Sequence, residues 1–196
     1  MPVSLTDAAY KNFNANNTLP RLWLSPDKME DSLDTEVEPE SWILANIQGG
    51  GFYRVNYDER NWRLLSQQLH ANHEAIHVLN RAHLISDAFA VAGVGLMSFG
   101  TVFDMLKYAK KEDHNVPWVT MRDGMAYIKD MVTSSRIERG FKVLITEFLL
   151  LIVTQPQLSI PYSPLCIHSH SQPWLGLEFM RSLMKIALSL KRERCY

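Results

Sequence analysis

The chain has 196 residues, 46% hydrophobic and 21% charged, enough for a sizeable core in one or two small domains. A formal net charge of -1 supplies no basic field, so no nucleic-acid partner is expected. The two cysteines, Cys166 and Cys195, lie near the C-terminus and define no disulfide framework for the residues before them.

The opening "MPVSLTDAAYKNF" has neither a basic start nor an apolar run, and reads as untargeted. The greasiest run, Phe148–Val153, has six residues where a membrane span needs about 20. The chain therefore reads as soluble, with its localisation unknown. Residues 1–57 read as β and loop. "PRLWLS" and "SWILAN" are short apolar runs between Pro, Asn and Gly breakers. In "FYRVNY", Tyr53, Val55 and Tyr57 alternate with Phe52, Arg54 and Asn56, as a strand with two unlike faces would. The acidic stretch "SPDKMEDSLDTEVEPE" reads as a solvated hairpin connection.

Helical texture begins at Asp58, an N-cap with Glu59 behind it, and Trp62, Leu65 and Leu69 follow at helical spacing. A second helix is predicted from near Asn72 to about Ala92. "FGTVFDMLKYAKKE", "PWVTMRDGMAYIKDM" and "RIERGFKVLITEFLLLIV" read as three more. Short turns between helices of similar length suggest stacked helical hairpins. Residues 155–173 carry prolines and no period, and read as a linker. Residues 174–196 place Phe179, Leu183, Ile186 and Leu190 on one stripe, an amphipathic helix suited to a partner surface.

His73-Glu74-Ala75-Ile76-His77 fits the H-E-x-x-H zinc-protease pattern, with His83 as a possible third ligand. Zinc needs three ligands converging on one point. Val78, Ala82, Ile85, Phe89 and Ala92 form one apolar stripe running through Asn80, so the helix is expected to continue. His83 would then lie about 240° around the axis from His77, at roughly 100° per residue, and could not share a metal with it. Asn72 as cap and Glu74 in the first turn account for the rest. The His168-Ser169-His170 pair lacks further ligands. No metal ligand and no catalytic residue is therefore assigned.

One resemblance covers about residues 1–150. "WILANIQGGGFYRVNYDERNW" followed by "IHVLNRAHLISDAF" resembles the C-terminal part of the aminopeptidase N-type (gluzincin) zinc metalloaminopeptidases. Their pattern runs roughly W-x-x-x-N, G-[YF]-Y-R-V-N-Y-D-x-x-N-W, then N-R-A-Q-L-[IL]-x-D-A-F. The matching residues include Trp42, Asn46, Gly51, Phe52, Tyr53, Arg54, Val55, Asn56, Tyr57, Asp58, Asn61 and Trp62, then Asn80, Arg81, Ala82, Leu84, Ile85, Asp87, Ala88 and Phe89. His83 stands where the family usually has Gln. Of these, Tyr53, Val55, Trp62 and Phe89 are expected in the core.

The resemblance implies a mostly α chain: a partial β-sandwich domain (1–57), an α-helical repeat domain of stacked antiparallel helices (58–154), the linker and the terminal helix. It also implies that the catalytic zinc domain lies N-terminal to this region. There, H-E-x-x-H is followed after eighteen residues by a Glu ligand. The corresponding position here is Leu96, and no G-A-M-E-N-type motif occurs. The implied role is a non-catalytic portion of an enzyme that removes N-terminal residues from peptides, forming part of the wall of its substrate chamber. Zinc is then a cofactor of the intact enzyme and not of this chain. The partners are a catalytic N-terminal half and, through it, peptide substrates. Family members are plasma-membrane, extracellular or cytoplasmic. The alternatives are a stand-alone helical-repeat binding module and a small zinc protease using His73, Glu74, His77 and His83.

Overall fold

The computed structural model describes residues 1–14, 18–27, 30–33, 38, 40–133, 140–143 and 145–146. They form two compact units, Met1–Gly124 and Met125–Tyr196. The architecture is mostly helical. Four short strands, β1 (Pro2–Val3), β2 (Leu5–Asp7), β3 (Leu22–Trp23) and β4 (Ile43–Ala45), precede α1 (Glu59–Asn72), α2 (Val78–Gly93), α3 (Phe99–Leu106) and α4 (Asn115–Val132). In the second unit Met125, Ile128, Val132, Phe141 and Ile145 are buried. The predicted helix over 136–153 is helical at 140–143, 145 and 146. The linker at 155–173 and the terminal helix at 174–196 lie outside the described residues.

The strands pair antiparallel as β1 with β3 and β2 with β4. β3 and β4, which flank the acidic stretch, lie in different sheets and do not pair with each other. The expected hairpin connection is therefore corrected. "FYRVNY" is a second correction. It keeps the predicted alternation, with Tyr53, Val55 and Tyr57 half-buried and Phe52, Arg54 and Asn56 exposed, yet it joins no ladder among the described residues. Side chains take up backbone groups that a neighbouring strand would otherwise satisfy: the amide of Asn46 donates to Tyr53 O, and Asp87 accepts from Val55 N.

The cap of α1 is as expected: the Asp58 carboxylate accepts the Asn61 N–H at 2.7 Å, satisfying one of the orphan donors of the first turn. Trp62, Leu65 and Leu69 are its buried face. The helix predicted from Asn72 to Ala92 is instead two elements. A 3-10 turn, His73–Ala75, is capped by Asn72, then Ile76 and His77 are extended, and α2 begins at Val78. From there α2 is unbroken through Asn80, and it is more buried than one stripe implies. Arg81, Leu84, Ala88 and Val91 are buried along with Ala82, Ile85, Phe89 and Ala92. It packs on α3 and on the 3-10 turn at Ile47–Gly49. Gly124 of α4 lets the Phe89 ring approach: a Cβ there would lie 2.2 Å from Phe89 Cδ2.

Candidate functional site

The polar residues that stood out in the sequence converge where the β segment meets α1 and α2. Asn46 is buried and left-handed, with φ 58°, a conformation Asn tolerates better than most residues. Its side chain donates to Gly51 O at 2.9 Å and accepts from Gly51 N at 2.8 Å, folding the loop that follows. At Gly51 a Cβ would meet the Tyr53 ring 2.1 Å away, so only glycine leaves room. Asn80 reaches back from α2. It accepts from Gln48 N at 2.9 Å and donates to Asn46 O at 3.1 Å.

Asp87, about two turns further on, accepts from Val55 N at 3.1 Å and from Arg54 Nη1 at 3.0 Å. Burial pushes its carboxyl above the ordinary value, and those two donors offset the rise only in part. On the far edge of β4, Tyr57 Oη accepts from Ala45 N at 3.0 Å. The Asn61 side chain accepts from Ile43 N and donates to Ile43 O, both at 2.8 Å. The edge of β4 that faces away from β2 is thus closed by side chains. Burial raises the Tyr57 hydroxyl well above its ordinary range. Trp62 meets the Tyr57 ring edge-on at 5.0 Å, and its Nε1 donates to Asn56 Oδ1. Trp42 Nε1 donates to Gln68 Oε1. Of the four residues expected in the core, Trp62 and Phe89 are buried, while Tyr53 and Val55 are half-buried because solvent reaches the unladdered segment.

The histidine candidates are placed differently from a single-helix reading. His73 is buried in the 3-10 turn, Glu74 is exposed beside it, and His77 follows in extended conformation. The spacing that would put two histidines on one helix face is therefore lost. His83 packs against Gly49, where a Cβ would lie 2.2 Å from its Nε2.

A second buried cluster escaped the sequence reading. Arg81 donates through Nε to Glu112 Oε2 at 2.7 Å and through Nη2 to Oε1 at 2.8 Å, and through Nη1 to Ile76 O at 2.7 Å. Tyr108 Oη donates to Glu112 Oε2, and His114 N donates to Oε1. Burial, the largest single influence, would raise the Glu112 carboxyl, but the hydrogen bonds from Arg81, His114 N and Tyr108 and the Arg81 charge together outweigh it and hold it below its ordinary value. The available signal was Arg81 itself, a cation on an apolar helix that requires a buried partner. A ring nitrogen of His73 and an oxygen of Asp113 also lie within 4.8 Å of a Glu112 oxygen. A cation there would stand beside the Arg81 guanidinium and compete for oxygens that already accept four donors. These residues do not fit a zinc centre.

The profile of the ERAP1-like C-terminal domain family matches residues 42–156. Aminopeptidase N of Plutella xylostella is 31% identical over 162 residues, covering 82% of this chain and 17% of that protein. The thyrotropin-releasing hormone-degrading ectoenzyme of Rattus norvegicus is 44% identical over 97 residues, covering 50% of this chain and 9% of that protein. Aminopeptidase N of Homo sapiens is 34% identical over 115 residues, covering 59% of this chain and 12% of that protein. The chain thus spans less than a fifth of the length of these relatives.

Proposed function

The chain belongs to the ERAP1-like C-terminal domain family, and from that premise we propose that it is the non-catalytic, C-terminal portion of a zinc-dependent aminopeptidase, forming part of the wall of the chamber that receives peptides. The observation that carries this reading is what the family motif does. Asn46, Arg54, Tyr57, Asn61, Asn80, Arg81 and Asp87 each bond within the chain. Most of them are spent on joining the β segment to the helices, and Arg81 on holding α2 to Glu112 and Ile76, rather than held ready for a substrate. The similarity to proteins named aminopeptidase N supports the same assignment.

On this reading zinc chemistry belongs to a catalytic N-terminal portion, where a metal would polarise the scissile carbonyl and activate water. Residues 1–57 act as a partial β-sandwich and residues 58–154 as a helical domain bounding the chamber, with no metal ligand or catalytic group of their own. Peptides are met through that partner portion. Co-expression with a catalytic N-terminal portion of a family aminopeptidase tests this. The expected result is co-purification and a change in the length preference for peptide substrates. Independent elution of the two pieces, with substrate preference unchanged, would instead favour a stand-alone binding module.

A further inference from the structure

His77 is the last extended residue of the joint between the 3-10 turn His73–Ala75 and α2. Its Nδ1 accepts the N–H of Leu79 at 3.3 Å, so an imidazole occupies an N-cap position where Asn, Asp, Ser or Thr is preferred. The same ring stacks on Phe13, in the segment following β2, at a centroid distance of 6.1 Å and an interplanar angle of 27°. One side chain therefore closes the first turn of α2 and touches the β segment. We propose that His77 is a pH-responsive clasp between the segment after β2 and the start of α2, closed while its imidazole is neutral and opened by protonation.

The chemistry follows from the lone pair. Nδ1 accepts a hydrogen bond only while unprotonated, because an imidazolium carries a donor on each nitrogen. On protonation the Leu79 N–H faces another donor, and the positive end of the α2 dipole gains a cation. The surroundings favour the neutral form. Burial is the largest influence, followed by Arg81 on α2 and His114 before α4, and together they hold His77 below the ordinary 6.5. The neighbouring carboxylates offer little relief. Glu112 is committed to Arg81, Tyr108 and His114, Asp113 lies 3.9 Å from His114, and Glu74 is exposed in the 3-10 turn. The segment carrying Phe13 also holds Lys11, two residues before it in sequence. Since the folded value is lowered, the clasp is intact above the ordinary value and is lost as pH falls through the folded one.

The test is the exchange protection of the Leu79 amide in the full chain, corrected for intrinsic exchange, from about pH 7.5 to about pH 5 across the imidazole range. Titration of the His77 ring is followed by NMR in the same samples. Protection should fall about tenfold, with its midpoint at the His77 titration. His77→Asn, which keeps a cap that does not titrate, should lose less than about twofold, and His114→Asn should keep the roughly tenfold fall, with its midpoint moving up together with the His77 titration. The clasp is overturned if wild-type protection stays constant within about twofold, if its midpoint departs from the His77 titration, or if His77→Asn loses protection as wild type does.

Discussion

At the scale of single residues, the family motif reads as a set of backbone-satisfying devices. Asn80 is the clearest, being 1% exposed and bonded to two backbone groups of the 46–48 turn. Asn80→Ala leaves Gln48 N and Asn46 O without those partners and should cost about 1–3 kcal/mol, measured by urea unfolding with an unchanged m-value. Arg81 and Glu112, with side chains 3% and 0% exposed, make a sharper case. Arg81→Met alone strands a buried carboxylate and should cost about 3–5 kcal/mol, whereas Arg81→Met with Glu112→Leu should recover most of that loss. The pH dependence has a definite sign. The folded Glu112 carboxyl is held below 4.5, so its stabilisation is present above that value and is lost as pH falls through the folded one. Thermal midpoints should fall more steeply below about pH 4.5 in wild type than in Glu112→Gln. The sequence announced Asn80 and Arg81 through the motif. It could not announce Glu112 or Tyr108, because the partner of a buried cation is chosen by tertiary packing across about thirty residues of chain.

At the scale of elements, what was legible depended on whether local signals agreed with packing. α1 was readable because its cap, first-turn acid and apolar spacing all point to one helix. The start of α2 was misplaced because Asn72 and Glu74 make a convincing helix beginning. No Pro or Gly marks the break at Ile76–His77, and the true cap is a histidine. "FYRVNY" misled in the other direction, since alternation reports faces of an extended chain but not whether a neighbour strand is there. The element that should tolerate least is α1 at Trp62, 3% exposed, where indole contacts hold Tyr57 and Asn56 of the motif. Trp62→Ala should cost about 3–5 kcal/mol, a large share of the 5–15 kcal/mol typical of a domain. Near-ultraviolet circular dichroism and the thermal midpoint report it directly. A midpoint moved by less than a degree or two would show the indole to be dispensable.

For the whole molecule, the family and the mostly helical class were legible because the motif is long, ordered and specific, and many of its residues form the joint between the β segment and the helices. The histidine cluster was legible only as a spacing. The three-dimensional placement of His73 in a 3-10 turn, His77 in an extended joint and His83 against Gly49 lay beyond periodicity. The central claim is that this chain contributes architecture and leaves peptide hydrolysis to a catalytic portion. Peptide hydrolysis at neutral pH requires an activated water and a stabilised oxyanion, and the candidate ligands here neither share a helix face nor converge. The most direct measurement is release of amino acid from aminoacyl-anilide substrates by the purified chain, with and without added zinc. The account predicts no release above buffer in either case, with the same result for Glu74→Gln. Zinc-dependent release by the chain alone, abolished by Glu74→Gln, would contradict it and restore a catalytic role for His73, Glu74 and His77.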